Sequence, residues 1–455
     1  MMLLCPVRGT VPPLGHRGLV AGRLELRTPS RVAARRSYLD ALRVVAIAAV
    51  VTGHWLLVDI SFRDGRLAGH DALTAIPSAA PLTWLFQVMP VFFLVGGYVN
   101  AGSWLAWRDG GGGWGTWVAA RARRLLRPVS VYLAAVVAGV VSASAARARP
   151  QELAQAAWLV CLHLWFLPTY LLVIALTPVL LAAHRRWGLL VPAAMAVGAA
   201  AVDVGVLSAG LPLIGFANYL LVWGSVHQWG FVWRDKASRV APAGAALLAV
   251  GAAALFAVLV VGGAFPADLI GARNTSPPSI ALLAFAAAQA GLVVLAEPAA
   301  TRVLDQGGRG RRVQRLNASA MTVYLWHMIP VVLIAVLVYP RMTVPQPVIG
   351  STSWWALRPV WLGALAALLV PMTLAVDRLQ SPLMPARLPP APSPRGRSLL
   401  VALGIIAAGW ALARLAIAGA APDGSLAVSV VVTYAAGVLL VEAAGWLPRH
   451  GSQGW

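Results

Sequence analysis

Apolar runs of about 19–23 residues alternate with short segments rich in arginine, glycine and proline from residue 39 to residue 446. Each run is long enough to cross a bilayer as a helix. The pattern predicts twelve spans, at 39–58, 82–104, 128–146, 164–183, 188–208, 211–232, 240–262, 279–300, 317–339, 356–376, 398–418 and 425–446. Pro128, Pro212 and Pro278 fall where spans begin, positions that tolerate proline. Pro168 lies in the first turns of the fourth span, and a short extra helix at 151–162 is expected before it. The fold class is thus an all-α polytopic integral membrane protein. About ten transmembrane helices form a core at 38–379. A Pro/Arg-rich linker follows at 380–397, then a C-terminal transmembrane hairpin and short tail at 398–455. Residues 1–37 carry seven arginines and no apolar stretch. They predict a basic, disordered cytoplasmic tail rather than a signal peptide.

Composition agrees. The 455 residues are 59% hydrophobic and 11% charged, with a mean hydropathy of +0.76. The net charge of +21 would suggest nucleic acid in a soluble protein. Here the basic residues sit between apolar runs. With both termini cytoplasmic, 27 of the 36 Lys and Arg lie in inside segments and seven in outside loops, which fixes the expected orientation in a cell membrane. The two cysteines, Cys5 and Cys161, predict no disulfide and no metal site.

Candidate chemistry begins in YLDALRVVAIAAVVTGHWLL, residues 38–57. Eleven helical steps place Arg43 and His54 about 20° apart in azimuth and roughly 16 Å apart along the axis. A cation and an imidazole on one face of a membrane helix need partners or a cavity, and histidine titrates in the range of a general base. Arg121, Arg123, Arg124 and Arg127 form a second cluster. It reads either as an anchor for anionic lipid heads or as a site for a phosphorylated ligand. His163, with Trp165, lies at the end of the fourth span, where interfacial belt chemistry is the usual reading. His327 lies deep in the ninth span and needs a role or a partner, and His227 sits in the sixth. Asn274 opens NTSPPS, which by residue type reads as a helix cap with prolines. No GxSxG, HExxH or CxxC occurs, so a covalent serine or cysteine nucleophile has no support.

Taken together, five of these segments resemble the membrane-bound acyltransferase 3 family of bacterial O-acyltransferases over roughly residues 36–376: YLDALR…GH, RRLLRP (123–128), HLWFL (163–167), NTSPPS (274–279) and TVYLWH (322–327). The resemblance implies about ten transmembrane helices. It implies transfer of an acyl group, acetyl by default, from acyl-CoA to a hydroxyl of a cell-envelope carbohydrate or exported molecule, with no tightly bound cofactor. His54 would be the base, Arg43 its partner and His327 a further catalytic candidate. Arg123, Arg124 and Arg127 would hold the donor's phosphates, and His163, Trp165 and Asn274 the substrate. Many members carry Ser-Gly where this chain has Gly96-Gly97, so a serine role there is not expected. No hydrolase-like domain follows the last span, so the chain is expected to act alone, use a partner or serve a small acceptor.

Two other classes remain open from the residues alone. One is a transporter or flippase using intramembrane His and Arg for substrate or proton passage, and the other is a non-catalytic membrane scaffold.

Overall fold

The computed structural model describes residues 29–236, 241–380 and 394–444; most of the expected tail and linker lies outside them. The first helix, α1 (Pro29–Leu57), begins inside the segment expected to be disordered. Part of the reason is docking: Arg35 pairs with Glu297 at 2.6 Å, and Tyr38 donates to the Val293 carbonyl at 2.6 Å. After α1 the chain makes an antiparallel hairpin, β1 (Val58–Arg63) and β2 (Arg66–Asp71), with Arg63 opposite Arg66 and Val58 opposite Asp71. Asp64 and Gly65 both have positive φ, as a two-residue hairpin turn requires. Side-chain amides close both edges. Gln346 bonds the Phe62 N–H and C=O at 2.8 and 3.2 Å, and Gln155 bonds those of Gly69 at 3.2 and 3.0 Å.

Helices α2 (Met89–Asp109), α3 (Trp114–Ala145), α4 (Pro150–Cys161), α5 (Phe166–Trp187), α6 (Leu190–Ala209) and α7 (Asn218–Lys236) follow. Then come α8 (Pro242–Val261), α9 (Ile280–Asp305), α10 (Arg309–Ala318), α11 (Ala320–Trp326), α12 (Ile329–Leu337) and α13 (Thr352–Gln380). The chain closes with α14 (Pro394–Ala418) and α15 (Val428–Ala444). Ten helical segments among the described residues are long and apolar enough to span a membrane, so this is a multi-pass membrane protein. The tally differs from the twelve expected spans in two places. α15 has 17 residues, and α7 carries Asn218, Ser225, His227 and Gln228. All four side chains of α7 are buried against protein, so the helix need not be apolar.

α3 also departs from expectation. It begins fourteen residues before Pro128, so the arginine cluster lies on the helix and Pro128 lies inside it. Trp117, Val118, Ala119, Ala122 and Leu126 bury one face of this extension, which outweighs the single backbone donor that Pro128 lacks.

The tightest helix crossing is α2 on α7. A Cβ added to Gly97 would lie 2.0 Å from the His227 carbonyl oxygen, and one on Gly230 would lie 2.3 Å from that of Leu94. Gly97→Leu should therefore cost about 3 kcal/mol or more through overpacking. Gly139→Ala, with nothing within 4 Å of the new carbon, should be neutral or slightly stabilising. Thermal melts in detergent followed by size exclusion check both; an unchanged midpoint for Gly97→Leu would mean that the crossing is not close.

Candidate active site

Residues 320–337 have the length and apolarity of one span, yet the helix is interrupted between α11 and α12. Pro330 is one cause, since it has no N–H for the Trp326 carbonyl. Irregular backbone at membrane depth is tolerated where protein or a cavity surrounds it, and such breaks mark sites. His327 occupies this one. Its side chain turns back along α11, with Nδ1 2.7 Å from the Tyr324 carbonyl oxygen. Its own carbonyl accepts from Trp55 Nε1 at 2.8 Å. Its Nε2 lies 2.8 Å from Nδ1 of His54, 273 residues earlier in the chain.

These contacts dictate the protons. A carbonyl can only accept, so His327 Nδ1 carries hydrogen. Neutral His327 then has a bare Nε2, which accepts from His54 Nδ1–H. Neutral His54 is left with its lone pair on Nε2, and that atom has no hydrogen-bond partner among the described residues. His327 is fully buried and His54 half-buried. The pair thus presents one unengaged basic nitrogen, with an orienting imidazole and a backbone carbonyl behind it.

His163 belongs to the same cluster. Its ring centroid lies 4.9 Å from that of His327 and 5.2 Å from that of Tyr324, and the Tyr324 hydroxyl donates to its backbone carbonyl. Both ring nitrogens are buried without a hydrogen bond of normal geometry, with the Leu325 backbone as a polar neighbour. Buried Trp326 Nε1 is also unpaired, and Tyr132 packs against both His163 and Trp326. Buried polar atoms without partners call for an explanation, and the position of these two side chains beside the histidine pair is what ties them to the site. Trp165 stands apart, packed against Phe166 and Trp223.

Arg43 lies three turns earlier, at the middle of α1. The rise of roughly 16 Å keeps it from touching His54. Its partner is Asp40, at 3.4 Å, whose carboxylate also accepts from Asn317 at 3.0 Å. The arginines of α3 divide by their partners. Azimuths of about 200° and 240° from Arg121 put Arg123 and Arg127 on one side, while Arg124 lies between, about 60° from both Arg121 and Arg127. Arg123 and Arg127 both bond Glu442 of α15, at 2.8 and 2.9 Å. Arg121 stacks over Trp117 and lies within electrostatic range of Arg43, Arg124 and Tyr170. The sequence grouping of Arg123, Arg124 and Arg127 is thus split. Arg121, a member of the cluster read from the sequence but outside the resemblance's phosphate set, is joined here by Tyr170, which the sequence did not single out. The Tyr170 hydroxyl fills the space beside Gly96, 2.9 Å from where a Cβ would lie.

Asn274 is spent on structure. Its amide donates to the Pro266 and Asp268 carbonyls at 2.9 and 2.6 Å, and its oxygen accepts from Ser279, the cap of α9. His227 braces Asn100 in the buried crossing of α2 and α7, at 3.3 Å.

Two outcomes are expected from this geometry. Imidazole ¹⁵N NMR of labelled protein, assigned with a His54 variant, should show neutral His54 as the Nδ1–H tautomer; an Nε2–H form would break the proton assignment. Glu442→Gln should lower stability by roughly 1–2 kcal/mol, mostly through Arg123, because the Arg127 side chain is 47% exposed. A thermal midpoint equal to wild type would show the clamp to be without consequence.

A family model described as an acyltransferase domain, the acyltransferase 3 domain, matches residues 36–377, three quarters of the chain. The match includes both histidines of the pair and ends before α14 and α15. No curated protein and no solved structure matches the chain.

Proposed function

The chain belongs to the acyltransferase 3 family and is a membrane acyltransferase, and we propose that it moves an acyl group, acetyl by preference, from cytoplasmic acyl-CoA to a hydroxyl of a cell-envelope carbohydrate or exported molecule. The observation that carries the reading is the His54–His327 pair at 2.8 Å, which leaves His54 Nε2 basic and unengaged. In the proposed step the acceptor oxygen attacks the thioester carbonyl as its proton passes to His54 Nε2. The resulting imidazolium donates through Nδ1 to neutral His327, a charge-assisted bond stronger than the one it replaces. The tetrahedral centre collapses, the C–S bond breaks, and the CoA thiolate leaves and takes the proton from His54. General-base assistance of this kind contributes about 10²–10⁴-fold. His327 holds the tautomer and ring orientation, as the third member of a triad does.

We place the donor's phosphates at the Arg43 end of the bundle. Arg121 and Arg124 fit this role better than Arg123 and Arg127, which already share Glu442. The pantetheine arm would then run past Tyr170 and Gly96 toward His54. The predominance of arginine in segments at that end supports a cytoplasmic location for it and for both termini.

Membranes given radiolabelled acetyl-CoA and an envelope extract test the reading. Wild type should release CoA and pass label to a product, and His54→Ala at matched expression should lose at least a hundredfold. Arg121→Ala should raise the donor KM about tenfold or more, the usual worth of a charged hydrogen bond, while Arg127→Ala changes it less than threefold. Near-normal turnover in His54→Ala would remove the proposed base.

A further inference from the structure

A cavity of about 290 Å³ lies beyond the far end of α1 from Arg43, between the β-hairpin, the 338–347 segment and the start of α13. Its walls include Asp59, Tyr339, Gln346, Trp354, Arg358 and Trp361. We propose that this cavity binds one sugar unit of the acceptor; the inference rests on the acyl-transfer reading for its role and on the cavity's own chemistry for its ligand.

The chemistry is that of a neutral polyhydroxylated ring. Arg358 donates to the Val58 carbonyl at 3.0 Å and to Asp59 Oδ1, and it lies 3.8 Å from the centroid of the Trp354 ring. Trp354 Nε1 donates to the same Oδ1 at 2.8 Å. Carboxylate and guanidinium therefore cancel, and an anionic or cationic ligand gains no net attraction. Asp59 Oδ2 and the Tyr339 hydroxyl make no hydrogen bond among the described residues, and Tyr339 lies within electrostatic range of both Asp59 and Arg358. The cavity lining thus includes one residue with a free strong acceptor and one with a free donor–acceptor, together with the indole of Trp361. Hydroxyls that bond the first two and a C–H face that lies on the third describe a sugar. The volume is at the small end of the ~300–1,000 Å³ typical of ligand pockets, enough for a single ring with its linkage.

The cavity is also tied to the histidine pair. Trp361 Nε1 donates to the Trp55 carbonyl at 3.0 Å, and Trp55 Nε1 donates to the His327 carbonyl at 2.8 Å. Asp59 follows His54 by five residues, so their backbones are at most ~18 Å apart. A sugar seated here would present a neighbouring unit of the same acceptor toward His54. His54 itself does not line the cavity.

Ala364 lies on the cavity wall and is exposed, so Ala364→Phe fills the space without removing a native contact. Tyr339→Phe removes only the unpaired hydroxyl. The probes are the methyl α-glycosides of glucose, galactose and mannose, and the readout is saturation-transfer NMR with the protein in nanodiscs. At least one glycoside should take up saturation from wild type and from His54→Ala. The Kd should rise at least tenfold in Ala364→Phe and severalfold in Tyr339→Phe, with size exclusion confirming folded protein. No binding of any glycoside to wild type, or binding unchanged in Ala364→Phe, would overturn the proposal. Label transfer from acetyl-CoA to the bound glycoside is read in parallel. Binding lost in Ala364→Phe without transfer in wild type would retain the sugar site while the acyl-transfer reading falls.

Discussion

The hydrogen bond from His327 Nδ1 to the Tyr324 carbonyl exists because α11 and α12 do not join, and the properties of the site descend from it. In a continuous helix that carbonyl would be spent on a backbone N–H four residues on. Freed, it fixes a proton on one nitrogen of His327. That proton fixes the lone pair on the other nitrogen, and the lone pair fixes the tautomer of His54. Orientation is secured by neutral hydrogen bonds alone, without a buried carboxylate, whose desolvation at membrane depth would be costly. A histidine oriented by another neutral histidine is a weaker base than one backed by a carboxylate. The arrangement gives up basicity and gains a ground state that carries no charge inside the bundle.

The surrounding structure follows the same economy of charge. The polar side chains of α7 are buried against α2, α5, α6 and α9, where Gln228 donates to Leu180, Ser225 to Leu221 and Asn218 to Asp203, while Asn218 Oδ1, Gln228 Oε1 and His227 Nδ1 are left without a partner. Asp203 in turn caps the Ile280 N–H at the start of α9. The lipid-facing work falls to helices such as α6 and α8, whose spans are mostly exposed in the protein. A helix at the centre can afford polarity that a peripheral one cannot, and the central helices carry His227, His163 and His327.

How much of this was legible depended on sequence distance. Arg43 and His54 lie on one helix, and periodicity alone put them on a common face. His327 stood out because a mid-membrane imidazole is rare, but nothing in the chain shows that it meets His54 across 273 residues. The β-hairpin was legible and missed. Asp64-Gly65 between VDISFR and RLAGHD is a strong two-residue turn signal, carried by two short strands between much longer apolar runs. The arginine cluster was legible, and helical spacing brought Arg123, Arg124 and Arg127 together; the carboxylate that Arg123 and Arg127 share was not legible. Glu442 was beyond sequence reasoning, because its importance lies in what it faces 315 residues earlier.

That last contact changes the standing of the two terminal helices. α14 packs on α3, α5 and the 162–165 turn that carries His163, and Gly404 and Gly437 let α15 close tightly on α14. Tyr434 donates to the Leu126 carbonyl at 3.2 Å, about two helical turns before Glu442 on α15. These helices lie outside the residues matched to the family, yet they cover the arginine face of α3 and supply its counter-charge. Two of the four clustered arginines therefore share one carboxylate, which offsets one of their two charges. An anion arriving at this end of the bundle meets unequal partners: Arg123 and Arg127 already share a carboxylate with which it must compete, whereas Arg121 and Arg124 have no such bond to Glu442. The appended hairpin thus narrows a broad basic patch to the flank of α3 that shares its field with Arg43 and Tyr170.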